Sequence, residues 1–477
     1  MTVEAATGAG VGLRSDRGRV LLAVMLSTGL VAIDSTILAT AVPSVVADLG
    51  GFAQFPWLFS VYLLAQAVSV PLYGKFADIV GRKPMMLLGV AIFLVSSLLC
   101  GSAWSMLSLI VFRALQGIGA GAVLPIGQTI IADIYTVAER AKVIGYLASV
   151  WALASVVGPA LGGVFSDYVS WRWIFFINVP IAIAAMLTLR RNFTELVERK
   201  DHTIDYAGAI LLAGGGSLLI LGLLAGGVNW AWGSVTSIVV LTVAVLLLLA
   251  FGLVERRAAE PILPLWVFRR RVLIGSNATT LCVGVLLIGL TSYVPLYAQQ
   301  VLGTSALVGG FVVAALTLGW PVAATLSGRV YLRFGFRNTA LFGTVFAVGA
   351  AVMLATVTAQ TSVIYLAVAC CVMGVGLGFI NSPSLVAAQS SADWQTRGVV
   401  TGANLFARSV GSAVGVAIFG AIVNAAVIGG EQQPDLERLP PEALATAIHS
   451  VYIGTGVIAL VMIAGVLLMP GGRPKPD

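Results

Sequence analysis

Apolar runs of about twenty residues recur from Val20 to Met469, and no other feature of the chain limits its fold so tightly. A helix needs ~20 residues to cross the ~30 Å hydrocarbon core of a bilayer. In lipid every backbone polar group must be satisfied internally, so only helices and closed barrels span it. Barrel strands would be about half as long and would alternate in polarity, which these runs do not. The expected fold class is therefore an all-α integral membrane protein. Composition agrees: 10% of the 477 residues are charged, against about a quarter in soluble proteins, and the mean hydropathy is +1.00.

Fourteen runs can be counted, at approximately 20–42, 55–77, 84–103, 106–128, 142–165, 173–190, 206–226, 235–254, 273–297, 304–326, 337–358, 362–382, 399–425 and 447–469. The first is followed by no small-residue cleavage site and reads as a retained helix. Short loops carrying Lys and Arg stay cytoplasmic, which tests the count independently. With the N-terminus inside, 23 of the 27 basic residues fall in cytoplasmic segments. Arg172 and Arg438 fall outside, and Arg113 and Arg408 lie within runs. A missed or invented helix would scramble this asymmetry from that point onward. The expectation is a multi-pass plasma-membrane protein with both termini cytoplasmic.

Several function classes drop out. The net charge of +7 comes from basic residues spread over short loops, without the single basic face that nucleic acid requires. Cys100, Cys282, Cys370 and Cys371 all sit in apolar runs, with neither disulfide nor metal spacing. The two histidines, His202 and His449, are expected in loops on opposite sides. Without a metal cluster, nucleophile elbow or phosphate loop, the chain is expected to be no enzyme and to need no cofactor or metal.

The chain also repeats. Gly74-Lys-Phe-Ala-Asp78-Ile-Val-Gly81-Arg82-Lys83 follows the second run, and Gly328-Arg-Val-Tyr-Leu-Arg-Phe-Gly335-Phe-Arg337 follows the tenth, 254 residues later. Gly158-Pro159-Ala-Leu-Gly162 in the fifth run answers to Gly411-Ser-Ala-Val-Gly415 in the thirteenth, 253 residues later. A shared offset at matching places indicates a duplicated six-helix unit. The expected organisation is a cytoplasmic segment (1–19), a six-helix bundle (20–190), a linker with two inserted helices (191–272), a second six-helix bundle (273–469) and a cytoplasmic tail (470–477). The 426–446 segment is the longest expected outer loop and carries no evident chemistry.

Four groups of residues carry chemical meaning. In the 74–83 loop, Gly74 and Gly81 permit tight turns. Asp78 there can accept from a helix N-terminus or pair with Arg82 or Lys83. Arg113, well inside the fourth run, needs a partner or water, and Gly117 and Gly121 form a small-residue face beside it. Asp34 is the only acid well inside a run. It lies about 21 Å from the cytoplasmic end of its helix, and Arg113 about 11 Å from the outer end of its own, so the two reach similar depths. Desolvation favours a neutral carboxyl and a nearby arginine favours the carboxylate; a conformational change can tip that balance. A fixed ion pair holding helices together is the alternative. Gly158, Pro159, Gly162 and Gly163 mark a point of flexing or tight packing in the fifth run. Arg408, one turn after Asn404, is a second costly cation that binds an anion or structures a cavity. Tyr62, Gln66, Gln116, Trp151, Tyr293, Tyr297, Trp320 and Asn381 are further candidate cavity groups, although packing or interface roles are the commoner use of such aromatics.

These motifs resemble the major facilitator superfamily from the first run to the last. The 74–83 loop is similar to its signature loop, which implies a latch for the outward-facing state. The second copy has Leu332 in place of Asp78 and is expected to latch less well. The Arg113 segment resembles the fourth-helix motif of proton-coupled members, which implies a part in proton coupling. The Asp34 segment resembles the first-helix motif of the fourteen-helix drug/proton antiporters. Gly158 to Gly163 matches the antiporter motif of exporters, and Trp171-Arg172-Trp173-Ile-Phe-Phe-Ile-Asn178-Val-Pro180 follows as in that branch. The resemblance implies two six-helix bundles plus two extra central helices, exchanging protons for an amphipathic drug or toxic compound, cationic ones included. Export of a siderophore, lipid or other metabolite is the alternative. The absence of a second deep acid argues against divalent-cation or metal–tetracycline export. The expected partners are a small-molecule substrate, protons and the lipid bilayer, with a monomer as the working unit.

Overall fold

The computed structural model describes residues 12, 15, 17–50, 57–195, 205–226, 230–258, 261–304, 306–427 and 441–471. The helices are α1 Gly18–Leu49, α2 Trp57–Val80, α3 Arg82–Gly101, α4 Met106–Ile134, α5 Val137–Tyr168, α6 Trp173–Phe176, α7 Asn178–Asn192, α8 Tyr206–Ala225, α9 Val235–Glu255, α10 Arg271–Gln300, α11 Ala306–Phe334, α12 Phe336–Ala355, α13 Val363–Ser390, α14 Arg397–Val427 and α15 Pro441–Leu467. Fourteen segments among the described residues are long and apolar enough to cross a bilayer, α6 and α7 together forming one.

Local sequence sets the helix ends. Ser105 and Thr136 open α4 and α5 with capping boxes: each cap hydroxyl accepts the third helical N–H, and each cap's own N–H donates to the Ser108 or Glu139 side chain. Gly81 alone separates α2 from α3, and Gly335 alone separates α11 from α12. Their φ angles of 111° and 88° belong to a region that side chains disfavour. The matching one-residue turns are the structural counterpart of the sequence repeat.

Two six-helix bundles result, and they pack alike. α1 lies against α5 and α7, α2 against α4, and α3 against α4 and α7. In the second bundle α10 lies against α14 and α15, α11 against α13, and α12 against α13 and α15. The bundles meet where α2 touches α14 and α5 touches α11. The α8–α9 hairpin is central in the sequence but not in space. α8 covers the seam by touching both α2 and α14, and α9 packs on α8. Ile238, Leu246, Leu249 and Leu253 of α9 remain exposed, an apolar face suited to lipid.

Three expectations need adjustment. α1 runs on to Leu49 because helix continues past the apolar run through Ser44 and Asp48. His449 is helical, because α15 starts at Pro441, a residue preorganised for a first helical turn. The same early start takes residues 441–446 out of the expected 426–446 loop. The rest of that loop from 428 to 440, most of the 1–19 segment, residues 472–477 of the tail, His202, and Arg14, Arg199, Lys200, Arg438, Arg473 and Lys475 lie outside the described residues.

Candidate functional site

α1 and α4 bring Asp34 and Arg113 together. Arg113 Nη1 lies 2.6 Å from Asp34 Oδ2, and both side chains are buried. The pair sits in a closed polar cluster. Gln116, one turn after Arg113 on α4, accepts from Arg113 Nη1 at 2.7 Å. It donates to Asp34 Oδ1 at 2.9 Å and to Ser97 Oγ of α3 at 2.7 Å. Asn178, at the start of α7, donates to Asp34 Oδ1 at 3.2 Å and to Ser97 at 3.3 Å. Arg113 Nε is anchored on the Leu58 carbonyl, and the guanidinium lies 4.1 Å from the centroid of the Tyr62 ring. The Asp34 carboxylate therefore faces three donors, while the Asn178 Oδ1 is buried without a hydrogen-bond partner. Charge-assisted bonds of this kind are strong, and losing one partner strands a buried charge.

The expected motif glycines hold the walls of this cluster. A Cβ at Gly158 would meet Thr36 Oγ1, and one at Gly162 would lie 2.5 Å from the Ile37 carbonyl oxygen. α5 thus packs tightly on α1 just beyond Asp34, as an uninterrupted helix through Gly163. Gly163 itself meets open space, and the Pro159 side chain lies outside the described residues. Gly411 and Gly415 do the same work in the second bundle, against Leu281 and Val285 of α10. A Cβ at Gly121 would lie 2.9 Å from the Gln66 carbonyl oxygen, so α4 meets α2 closely as the small-residue face implied.

The signature loop lies at the end of the bundles that carries Arg17. Asp78 accepts the backbone N–H groups of Gly398 and Val399 at 3.0 and 2.8 Å, capping α14 of the other bundle. Arg82 pairs with Asp78 at 2.8 Å and with Asp133 at 3.1 Å, and stacks 3.9 Å from the Trp394 ring. Arg397 reaches back to Asp133 at 2.8 Å. Gly81 makes the expected turn. Gly74 does not turn: it is helical, and its lack of a Cβ lets α2 approach the Gly398 carbonyl. Lys83 Nζ donates to the Arg190 carbonyl and takes no part in the latch. Tyr331 to Val137 and Gln389 to Gln128 add further bonds. Among the described residues, these hydrogen bonds and ion pairs between the bundles all lie at this end. At the other end, Asp48 accepts from Arg172 at 2.6 Å and from Trp171 at 3.0 Å, tying α1 to the start of α6. Those bonds hold the Asp48 carboxyl below the usual carboxylate range.

The remaining candidates separate. Tyr62 and Gln116 belong to the Asp34 cluster. Tyr297 is buried against Tyr452, and Tyr293 stands edge-on to Phe419. Gln66, Trp151, Trp320 and Asn381 are half-buried. Asn404 is buried in a polar nest on α10, and Arg408 is half-buried with no hydrogen bond or ion pair among the described residues. Sequence reasoning missed Ser97, Asp133, Trp394 and Glu195, whose carboxylate accepts the Arg82 and Lys83 backbone N–H groups, and gave Asn178 no role. Asn178 was a visible signal, a polar residue within an apolar run.

Residues 24–416 match the Major Facilitator Superfamily. Multidrug resistance protein 3 of Bacillus subtilis (strain 168) is 36% identical over 403 residues, covering 84% of this chain and 79% of that protein. Multidrug transporter protein MdtP of the same organism is 32% identical over 438 residues, covering 90% and 81%. Among solved structures, the human organic anion transporter MFSD10 (TETRAN) superposes with a TM-score of 0.66 at 16% identity. The match covers 95% of this chain and 99% of that one.

Proposed function

The chain belongs to the Major Facilitator Superfamily, and from that membership we propose that it exports an amphipathic drug or toxic compound by alternating access, in exchange for protons. The observation that carries this reading is the buried Asp34–Arg113 pair at 2.6 Å. Among the described residues it is the one acid–base pair deep within the spans, and the side-chain amides of Gln116 and Asn178 donate to its carboxylate. Arg113 is the countercharge of the Asp34 carboxylate; a rearrangement that draws Arg113 away would leave a buried, unpaired charge for a proton to neutralise. A proton is then taken up in one state and released in the other. Asn178 Oδ1, the idle acceptor beside Asp34, offers a protonated carboxyl a partner.

Alternating access needs two bundles that part at one end while joined at the other. The Asp78–α14 cap and the Arg82–Asp133–Arg397 relay join them at one end, in keeping with a latched state. The division into bundles at 20–190 and 273–469, with a linker and two inserted helices at 191–272, belongs to the same proposal. So do a plasma-membrane location with cytoplasmic termini, supported by the loop charges, and a monomeric unit. The names of the two B. subtilis relatives support a drug as cargo.

The test is an imposed proton gradient across proteoliposomes holding the full chain. An outward proton gradient, from an acidic lumen, should drive accumulation of a fluorescent amphiphile, and a protonophore should abolish it. Accumulation that ignores the protonophore would overturn proton exchange.

A further inference from the structure

Two arginines lie deep in the spans, and only one of them is answered. Arg113 has Asp34. Arg408 stands about 17 Å along α14 from Arg397, near the middle of the ~30 Å hydrocarbon core. Its guanidinium has no hydrogen bond or ion pair among the described residues, and no carboxylate stands near enough to act on it. A guanidinium at that depth faces water or meets an anion; otherwise it is not tolerated.

The helix turns Arg408 inward. It follows Asn404 by four residues, about 40° further round α14. Asn404 is buried and donates to Ser276 Oγ at 3.0 Å, Asn277 Oδ1 at 3.2 Å and Thr280 Oγ1 at 3.0 Å, all on α10. α10 approaches so closely that a Cβ at Gly284 would meet the Arg408 carbonyl. Thr401, on the same side of α14, accepts from Gln389 of α13 at 3.2 Å. The far side of α14 is taken by Phe406, which packs toward Gly216 of the α8 hairpin. Arg408 therefore lies on the face of α14 that meets α10 and α13, away from the hairpin.

No described acid pairs with it. Asp34 is engaged by Arg113 in the other bundle, and Asp78 and Asp133 are engaged by Arg82 and Arg397 at the sealed end. We propose that Arg408, with Asn404 and the α10 hydroxyls beside it, is an anion-recognition site that receives the carboxylate, sulfonate or phosphate group of an amphipathic cargo. A planar guanidinium matches such an oxyanion through two parallel N–H bonds, and the surrounding hydroxyls hold the groups beside it. The same unpaired charge repels a simple cation, so the site selects anionic or zwitterionic cargo. This assignment rests on the exporter reading.

The test uses the full chain in phosphatidylcholine vesicles and two amphiphiles of similar size, an anilinonaphthalene sulfonate and the cation ethidium. Binding is read by fluorescence and transport under a proton gradient. Wild type should bind and move the sulfonate. Arg408→Gln should lower the sulfonate-to-ethidium ratio about tenfold or more, as expected when one charge-assisted hydrogen bond is removed. Arg408→Lys, which keeps the charge without the fork, should lower it less, and it carries the test if the glutamine variant does not insert. An unchanged ratio in these variants, or a wild type that moves ethidium and ignores the sulfonate, overturns the site. If ethidium movement in that case still depends on the proton gradient, the exporter reading stands without the site. Phosphatidylglycerol added to the vesicles separates the sources of the anion. Sulfonate binding that it weakens in wild type but not in Arg408→Gln would assign Arg408 to a lipid headgroup and overturn the cargo assignment.

Discussion

Asp78 accepts the Val399 amide at 2.8 Å across 321 residues of sequence, so the loop after α2 caps the first turn of a helix in the other bundle. A helix N-terminus carries a partial positive charge and orphan N–H groups, and a carboxylate satisfies both. Asp78 also holds Arg82, which extends the contact to Asp133 and through it to Arg397. A chain of charges therefore crosses this end, beside apolar contacts of Leu72 with the Val399–Val400 cluster and of Val137 with the second bundle.

Asp78→Asn should open that end. The amide presents one acceptor oxygen to two backbone donors and loses the Arg82 ion pair. Spin labels at Val80 and Leu332, both exposed, should report a new longer-distance population. An unchanged distance distribution would mean that the cap does not control closure.

Two glycines of one motif should fail in different ways. Gly74→Ala places a Cβ 2.6 Å from the Gly398 carbonyl oxygen, so it should shift the same distance distribution while each bundle stays folded. Gly81→Ala forces alanine to a φ of 111° and should lower thermal stability by about 1–3 kcal/mol, the usual penalty of such a backbone. Equal effects on distance and stability from both would contradict these separate roles.

Asn178 should matter for proton handling more than for assembly. Asn178→Ala removes one donor to Asp34 and the idle acceptor beside it. Substrate-driven proton release should therefore fall relative to substrate exchange at equal pH, with similar expression. Release and exchange lowered in the same proportion would assign Asn178 to packing instead.

Asp48 supplies the internal control. Its carboxyl is held below the usual range by Arg172 and Trp171. The link it makes is therefore present above the usual carboxylate range and is lost only as pH falls through the depressed value. Asp48→Asn should leave the transport profile between pH 5 and 8 unmoved. A shift of that profile would place a coupling proton at Asp48.

Much of this was legible in the sequence, for physical reasons. Length and apolarity dictate spans, because lipid leaves the backbone no alternative. Gly81 and Gly335 were visible as a repeat, and the strained backbone at both shows why glycine recurs there. Asp34 and Arg113 stood out because charge in a span is rare, and depth along each helix put them at similar levels. What stayed hidden depended on rotation and on contacts between distant segments. Gly74 read as a turn, but its role is set by Gly398 in another bundle. Ser97 looked like any small residue in an apolar run, and Asp133 like an acid at a helix end. Gln116 read as a cavity group, yet helix rotation turns it into the Asp34 cluster. The α8–α9 insertion was plain, but its seat over the seam was not.

In the proposed exchange, Asp34 carries the coupling proton. The most direct measurement compares wild type and Asp34→Asn in proteoliposomes for two activities, proton release on adding substrate and substrate exchange at equal pH on both sides. Arg113→Ala serves less well, since stranding a buried charge costs about 3–5 kcal/mol of stability. Asp34→Asn should insert and still exchange substrate but release no protons. Wild-type proton release from Asp34→Asn would contradict that role.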